Sequence, residues 1–214
     1  LDEAEAGRRS PLEGWTPRTR LGRMVLEGKV TTLQEIINEG YRIKEVEIID
    51  VLVPDLKEEV VDLSLVQKQT DAGERSRFRA VVAVGNGEGL LGLGIGKSSR
   101  VRNAIEKGIT QAKLNIYPIL RGCGSWECRC GEPHSLPFKV TGSRGGVEIT
   151  LLPGPKGLGL VAGETAKILL RLAGIRDCWS RARGNTRTKV SSAMATFEAL
   201  KNTTRTMTQK DWAR

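Results

Sequence analysis

Between Glu74 and Lys113 the chain reads ERSRFRAVVAVGNGEGLLGLGIGKSSRVRNAIEKGITQAK, and few folds accommodate that run. Arg75, Arg77 and Arg79 fall on one face of a strand, with Phe78, Ala80, Val82 and Val84 on the other. GNGEG at 85–89 follows, and Asn-Gly is a strong hairpin signal because both positions tolerate positive φ. Period two then resumes in LLGLGIG. Leu91, Leu93 and Ile95 form an apolar row that feeds a core, while Gly92, Gly94 and Gly96 form a row that another backbone can approach closely. A helix comes next, with Ser98 or Ser99 as cap. Its apolar stripe is Val101, Ala104, Ile105, Ile109 and Ala112, opposite Arg100, Asn103, Lys107 and Gln111. Upstream, Leu63 and Leu65 followed by Lys68 and Thr70 mark a partner strand, and Asp71–Gly73 its turn. Three antiparallel strands with a helix on one face make a small α+β unit ending near Ile119.

Two nucleotide motifs can be read into the glycines. Gly87, Gly89 and Gly92 match G-x-G-x-x-G, and GIGKSS resembles the end of a phosphate loop. A dinucleotide fingerprint must open a helix directly after a strand, whereas this one spans a hairpin and enters a strand. The phosphate loop needs glycine six residues before its lysine, and that position is Leu91. Hydrolysis of a nucleotide is therefore disfavoured. The pattern fits a docking surface for a large polyanion better. Arginines at i, i+2 and i+4 lie about 7 Å apart, close to the phosphate spacing of one nucleic-acid strand. Lys97 and Arg100 stand beside the free amides of a helix N-terminus.

The charge distribution supports that reading. The 214 residues carry a net +9, yet residues 1–60 hold 9 Lys/Arg against 13 Asp/Glu. The excess of positive charge lies beyond them and is clustered, which favours nucleic acid over an anionic membrane. No apolar run approaches the ~20 residues of a membrane span, and no signal-peptide pattern opens the sequence. Leu1 in place of Met points to a trimmed start.

Residues 1–29 read as an extended arm ordered by a partner. Arg8, Arg9, Arg18, Arg20 and Arg23 are available for phosphates, Trp15 for stacking, and Pro11 and Pro17 break regular structure. A short helix is expected at 31–40, capped by Thr31 or Thr32 with Glu35 as the capping-box acid. An acidic connector at 45–61 then packs on protein. These segments make up an N-terminal extension, 1–56, ahead of the first domain at 57–120.

A second β/α domain is expected at 121–214. Its strands are Phe138–Thr141 and Gly146–Leu152 around a turn with Arg144, and 176–183 carrying Arg181 and Arg183. Helices are expected at about Gly163–Ala173 and after Ser191 or Ser192, the latter behind a basic loop holding Arg187 and Lys189. A Cys-rich insert at 122–135 opens the domain. Cys123, Cys128, Cys130 and His134, the only histidine, fall within 12 residues as C-x4-C-x-C-x3-H. Three thiolates and an imidazole satisfy tetrahedral zinc and leave no open position, so such an ion is structural. Reduced thiols in a surface loop are the other reading. Cys178, beside Trp179, reads as core. No Ser or Asp is placed by sequence as a partner for His134, and no catalytic residue is identified.

RFRAVVAVGNGEGLLGLGIGKSSRVRNAIEKGITQAK resembles the signature of the universal S-five family of small-subunit ribosomal proteins. VTGSRGGVEITLLPGPKGLGLVAG and ARGNTRTKVSSAMATFEAL resemble its second domain. WTPRTRLGR, EIID and VQKQTDAGERSRF resemble the archaeal and eukaryotic branch, and the likeness runs from about Trp15 to Trp212. It implies a double-stranded-RNA-binding-like first domain, a second β/α domain with a left-handed crossover, and contact with small-subunit rRNA. It also implies a cytoplasmic place in the subunit near the mRNA entry channel, beside proteins of families four, eight and three, with influence on decoding accuracy. The positions facing RNA would include Arg75, Arg77, Arg79, Asn86, Gly92, Gly94, Lys97 and Arg100; Lys68 on the partner strand is a further basic candidate for RNA. Thr141, Gly142, Ser143 and Arg144 would occupy a loop tied to a neighbouring protein and to fidelity. The Cys-rich insert is not part of the general family pattern.

Overall fold

A computed structural model describes residues 15–128 and 130–205. The chain divides after Leu56 into two compact units. Arg8, Arg9 and Pro11 lie outside the described residues.

In the first unit the expected extended arm is helical from Arg20. Leu21, Met24 and Val25 sit at i, i+3 and i+4 on α1 (Arg20–Leu26), a short apolar stripe concealed among arginines. Thr19 caps it by accepting from Gly22 N at 3.1 Å. Helices α2 (Leu33–Asn38) and α3 (Glu47–Leu52) complete the unit. Leu21, Val25, Val30, Ile36 and Ile48 are its buried core. Trp15 packs against that core, so the ring expected to stack on RNA is engaged within the protein. Glu35 reaches back to accept from Thr31 N at 3.2 Å, one residue before the N-cap Thr32, whose side chain makes no capping bond, so the expected capping box does not form.

The second unit holds two sheets. β1 (Lys57–Thr70), β2 (Gly73–Gly85), β3 (Leu90–Ser98) and β4 (Ile116–Pro118) pair antiparallel in that order. The fourth strand was not foreseen, because three residues leave no readable alternation. β1 also begins five residues early, drawing the acidic Glu58 and Glu59 into the ladder opposite Val84 and Ala83. A bulge between Val60 and Asp62 resets its register.

α4 (Val101–Leu114) lies across the glycine row of β3. A Cβ at Gly92 would run into the carbonyl of Ala112, at Gly94 into Gly108 and Ala112, and at Gly96 into Ala104 and Gly108. The helix supplies Ala104, Gly108 and Ala112, a buried i, i+4, i+8 row, so two rows of small residues seat backbone on backbone. The opposite face of this sheet joins the second one. Val81, Ala83, Leu91 and Leu93 share a core with Ile149, Leu151, Leu169 and Leu170.

The second sheet runs β5 (Val140–Arg144), β6 (Val147–Pro153), β8 (Cys178–Gly184) and β7 (Leu160–Val161). β7, another short strand absent from the sequence reading, pairs parallel to β8, and α5 (Glu164–Leu172) makes the crossover between them. α6 (Lys189–Lys201) covers one face, where Gly142 lies against the backbone of Ala195 and Ala199. Thr141–Arg144 therefore belong to a strand and not to the loop expected there. The α6 cap is Thr188, not Ser191 or Ser192. Ser192 is buried within the helix and donates to Thr186 O at 3.0 Å.

Cys178 is fully buried in the shared core. Burial pushes its thiol up to about 12, so at neutral pH the thiolate is essentially absent. Native Cys178 should resist iodoacetamide for hours and label rapidly after unfolding, as read by peptide mass spectrometry.

Candidate nucleic-acid interface and metal centre

The β1–β2 hairpin and the adjoining β3 bring five of the basic sequence candidates together. Lys68 stands directly opposite Arg75, Val66 opposite Arg77, and Ser64 opposite Arg79. On the other side of β2, Arg79 stands directly opposite Lys97. Directly opposed residues share a sheet face, so Lys68, Arg75, Arg77, Arg79 and Lys97 line one surface. Arg75, Arg77, Lys68 and Lys97 are exposed. Arg79 is half-buried and its Nε donates to Ser64 Oγ at 3.1 Å. Two of these cross-strand pairs, Lys68–Arg75 and Arg79–Lys97, join like charges, an arrangement that destabilises an isolated sheet.

The same register corrects part of the expected RNA surface. The partners Ala80–Gly96, Val82–Gly94 and Val84–Gly92 put the glycine row on the opposite face from the arginines. That face is covered by α4, and Gly92 and Gly94 are buried. The backbone that approaches them is the helix's own. Asn86 is also committed internally: its Oδ1 accepts from Glu88 N at 2.8 Å and Leu90 N at 3.0 Å. Gly87 N donates to Leu172 O at 2.9 Å, and Gly89 O accepts from Ile119 N. The turn is a four-residue loop with positive φ at Gly87 and Gly89 only. The amides of Gly87, Glu88 and Leu90 all bond to protein, so the turn is not a phosphate cradle. Arg100 takes the N-cap of α4 in place of Ser98 or Ser99, with no side-chain cap, and is exposed beside Lys97.

Further basic candidates belong to other elements. Arg18, Arg20 and Arg23 are exposed in the first unit. Arg144 ends β5 in solvent, and Arg181 and Arg183 extend from β8 opposite Thr150 and Glu148. Arg187 is exposed, whereas Lys189 lies 3.6 Å from the Asp62 carboxylate. Sequence reasoning missed Arg121, Arg171 and Arg176, which line one cleft with Gly87 and His134. No periodic signal joins residues so far apart.

The Cys-rich segment folds as the sequence required for a metal. Gly122 and Ser135 exchange two backbone hydrogen bonds of 2.9 Å and close the loop. Inside it, one ligand atom each from Cys123, Cys128, Cys130 and His134 lies within 4.8 Å of the others. Cys128 Sγ is 3.2 Å from Cys130 Sγ and 3.7 Å from His134 Nε2, and Cys130 Sγ is 3.6 Å from Cys123 Sγ. A tetrahedron built on metal–sulfur bonds of about 2.3 Å has edges of about 3.8 Å, so the donor set fits such an ion. The hydrogen bond shared with Cys130 is the chief cause drawing the Cys128 thiol down to about 6, which favours the thiolate a metal requires.

His134 does have an acidic partner, contrary to expectation. Its Nδ1 lies 2.8 Å from Asp177 Oδ2, and both side chains are nearly buried. Cys128, His134 and Asp177 alone could be taken for a nucleophile triad. The two further sulfurs converging on the same point distinguish a ligand set from a catalytic thiol.

Arginine-bearing strands exposed on two helix-backed sheets, with a glycine turn whose amides are spent internally, make an α+β protein with a surface suited to a polyanion and, among the described residues, no phosphate loop for a nucleotide. Comparison with known proteins makes the assignment specific. A family model described as Ribosomal protein S5, N-terminal domain, matches residues 56–120, and one described as Ribosomal protein S5, C-terminal domain, matches residues 142–213. The chain belongs to the ribosomal protein S5 family. It is 59% identical over 189 residues to the small ribosomal subunit protein uS5 of Pyrobaculum islandicum, covering 88% of this chain and 94% of that one. It is 56% identical over 213 residues to the uS5 of Aeropyrum pernix, covering 100% and 97%. With the uS5 of Thermofilum pendens the identity is 55% over 198 residues, covering 92% and 98%. The Cys/His cluster at 123–134 falls between the two matched segments.

Proposed function

We propose that this protein is a structural constituent of the small ribosomal subunit, in the cytoplasm, and that it binds small-subunit rRNA chiefly through the hairpin surface Lys68, Arg75, Arg77, Arg79 and Lys97. The like-charged pairs across β2 carry the reading. They cost folding free energy in the isolated sheet, and a bound phosphate backbone turns that cost into attraction. Arg100 extends the surface, and Arg18, Arg20, Arg23, Arg144, Arg181, Arg183, Arg187 and Lys189 add peripheral contacts. Recognition is by backbone and shape, with little reading of base edges. By family resemblance, the extension 1–56 and the domains 57–120 and 121–214 sit near the mRNA entry beside proteins of families four, eight and three. There Thr141–Arg144 bear on decoding accuracy.

The chain should stay with small subunits through a high-salt wash and sediment with them; release into the supernatant counts against an integral role. In direct RNA binding, Arg77→Ala with Arg79→Ala should lower the salt slope of log K by about 1 for each phosphate no longer neutralised. An unchanged slope removes the hairpin from the interface.

Cys123, Cys128, Cys130 and His134 hold one structural zinc ion, which fixes a loop poor in apolar side chains. Elemental analysis of purified protein should find one equivalent, and less than half an equivalent overturns the site.

A further inference from the structure

The geometry points to Asp177 as the positioning residue of the metal centre: its carboxylate fixes the His134 tautomer and ties the centre to the glycine loop at 157–159. The inference rests on the zinc reading and goes beyond its ligands. An ionised carboxylate only accepts hydrogen bonds. With Asp177 Oδ2 2.8 Å from Nδ1, that nitrogen must carry the proton. Nε2 is then left with its lone pair free, and Nε2 is the atom directed at the thiols, 3.7 Å from Cys128 Sγ. Such a carboxylate–imidazole pair orients the ring and raises its basicity toward a metal.

The other carboxylate oxygen does separate work. Oδ1 accepts from Gly157 N at 3.1 Å and from Gly159 N at 2.8 Å. The Ser135 hydroxyl donates a hydrogen bond to the Asp177 carbonyl, while Ser135 Oγ accepts from Gly154 N at 3.1 Å. The carbonyl of His134 accepts from Arg176 N at 2.8 Å. One buried aspartate thus links the insert, the 154–159 loop and the start of β8. Leu160 of β7 follows that loop directly.

Because the two oxygens have different partners, one substitution separates the two roles. In Asp177→Asn the amide oxygen can still accept from Gly157 and Gly159. The amide nitrogen then donates to Nδ1, moving the imidazole proton to Nε2, where it blocks ligation. Zinc and cobalt affinities, measured by competition with a chromophoric chelator, should fall by about 10- to 100-fold. Hydrogen exchange at Gly157 and Gly159 should stay close to wild type. Equal affinity in the variant overturns the proposal. Loss of affinity together with loss of protection at both glycines assigns Asp177 to loop anchoring alone and also overturns it. Wild-type protein taking up less than half an equivalent is a distinct result, because it removes the zinc site itself. A readout that needs no variant is the nitrogen-15 spectrum of His134 in zinc-loaded wild-type protein. It should show protonated Nδ1 and metal-bound Nε2; the reverse arrangement overturns the assignment.

Discussion

Replacing Gly94 by valine should cost the second unit most of its stability. A side chain there has nowhere to go, because its Cβ would meet the amide of Ala112, the carbonyl of Gly108 and the carbonyl carbon of Gln111. These are backbone atoms of a helix seated along its whole length, so no rotamer change relieves the clash. Overpacking of a yielding core costs about 1–3 kcal/mol; against fixed backbone the cost should reach or pass the upper end of that range. Ile95→Val, one residue along on the opposite face, is the control and should cost about 0.5–1.5 kcal/mol. Urea unfolding midpoints compare the two. Equal midpoints would mean that α4 does not rest on the glycine row.

Removing the metal should have the next largest effect, and a local one. A strong chelator, or Cys130→Ser, strips or cripples the ligand set at 123–134, while both sheets keep the shared core of Val81, Leu91, Ile149 and Leu169. The expected outcome is a lower melting temperature without loss of cooperative unfolding. Each kcal/mol of stability removed should lower it by about 2–4 °C for a unit of this size. Hydrogen exchange should accelerate at Gly122, Gly124 and Ser135, whose amides close the loop, well before it changes in β2. A melting curve indifferent to chelator would show that the four side chains gather without holding an ion.

These two sites also show what the sequence could convey. The alternation of Leu91, Leu93 and Ile95 with three glycines announced the strand and the apolar face that enters the core. It could not say what lay over the glycines, because α4 offers only Ala104, Gly108 and Ala112, which carry a weak hydrophobic signal. Assigning that row to RNA followed from treating an unobstructed backbone as exposed. The pairing of Arg79 with Lys97, set by the loop at 86–89, places arginines and glycines on opposite faces. The gathering of Cys123, Cys128, Cys130 and His134 was legible because their spacing is local. Asp177 was not, since 43 residues separate it from His134 and only the arrival of β8 joins them. β4 and β7, of three and two residues, are too short to alternate. α1 was concealed by the arginines around its three apolar positions.

The like-charged pairs across β2 bear on the life of the protein away from its RNA. Any ligand that binds only the folded state raises its apparent stability in proportion to the logarithm of ligand concentration over the dissociation constant. A phosphate backbone lying on Lys68, Arg75, Arg79 and Lys97 is such a ligand, and it also removes their mutual repulsion. Unassembled chains keep the repulsion and lack the ligand, so a larger fraction of them is open to proteases at any moment. If the proposed interface holds, the hairpin makes persistence conditional on assembly, and copies made in excess of RNA should be the ones most readily cleared, as a pulse-chase of overexpressed chain would read.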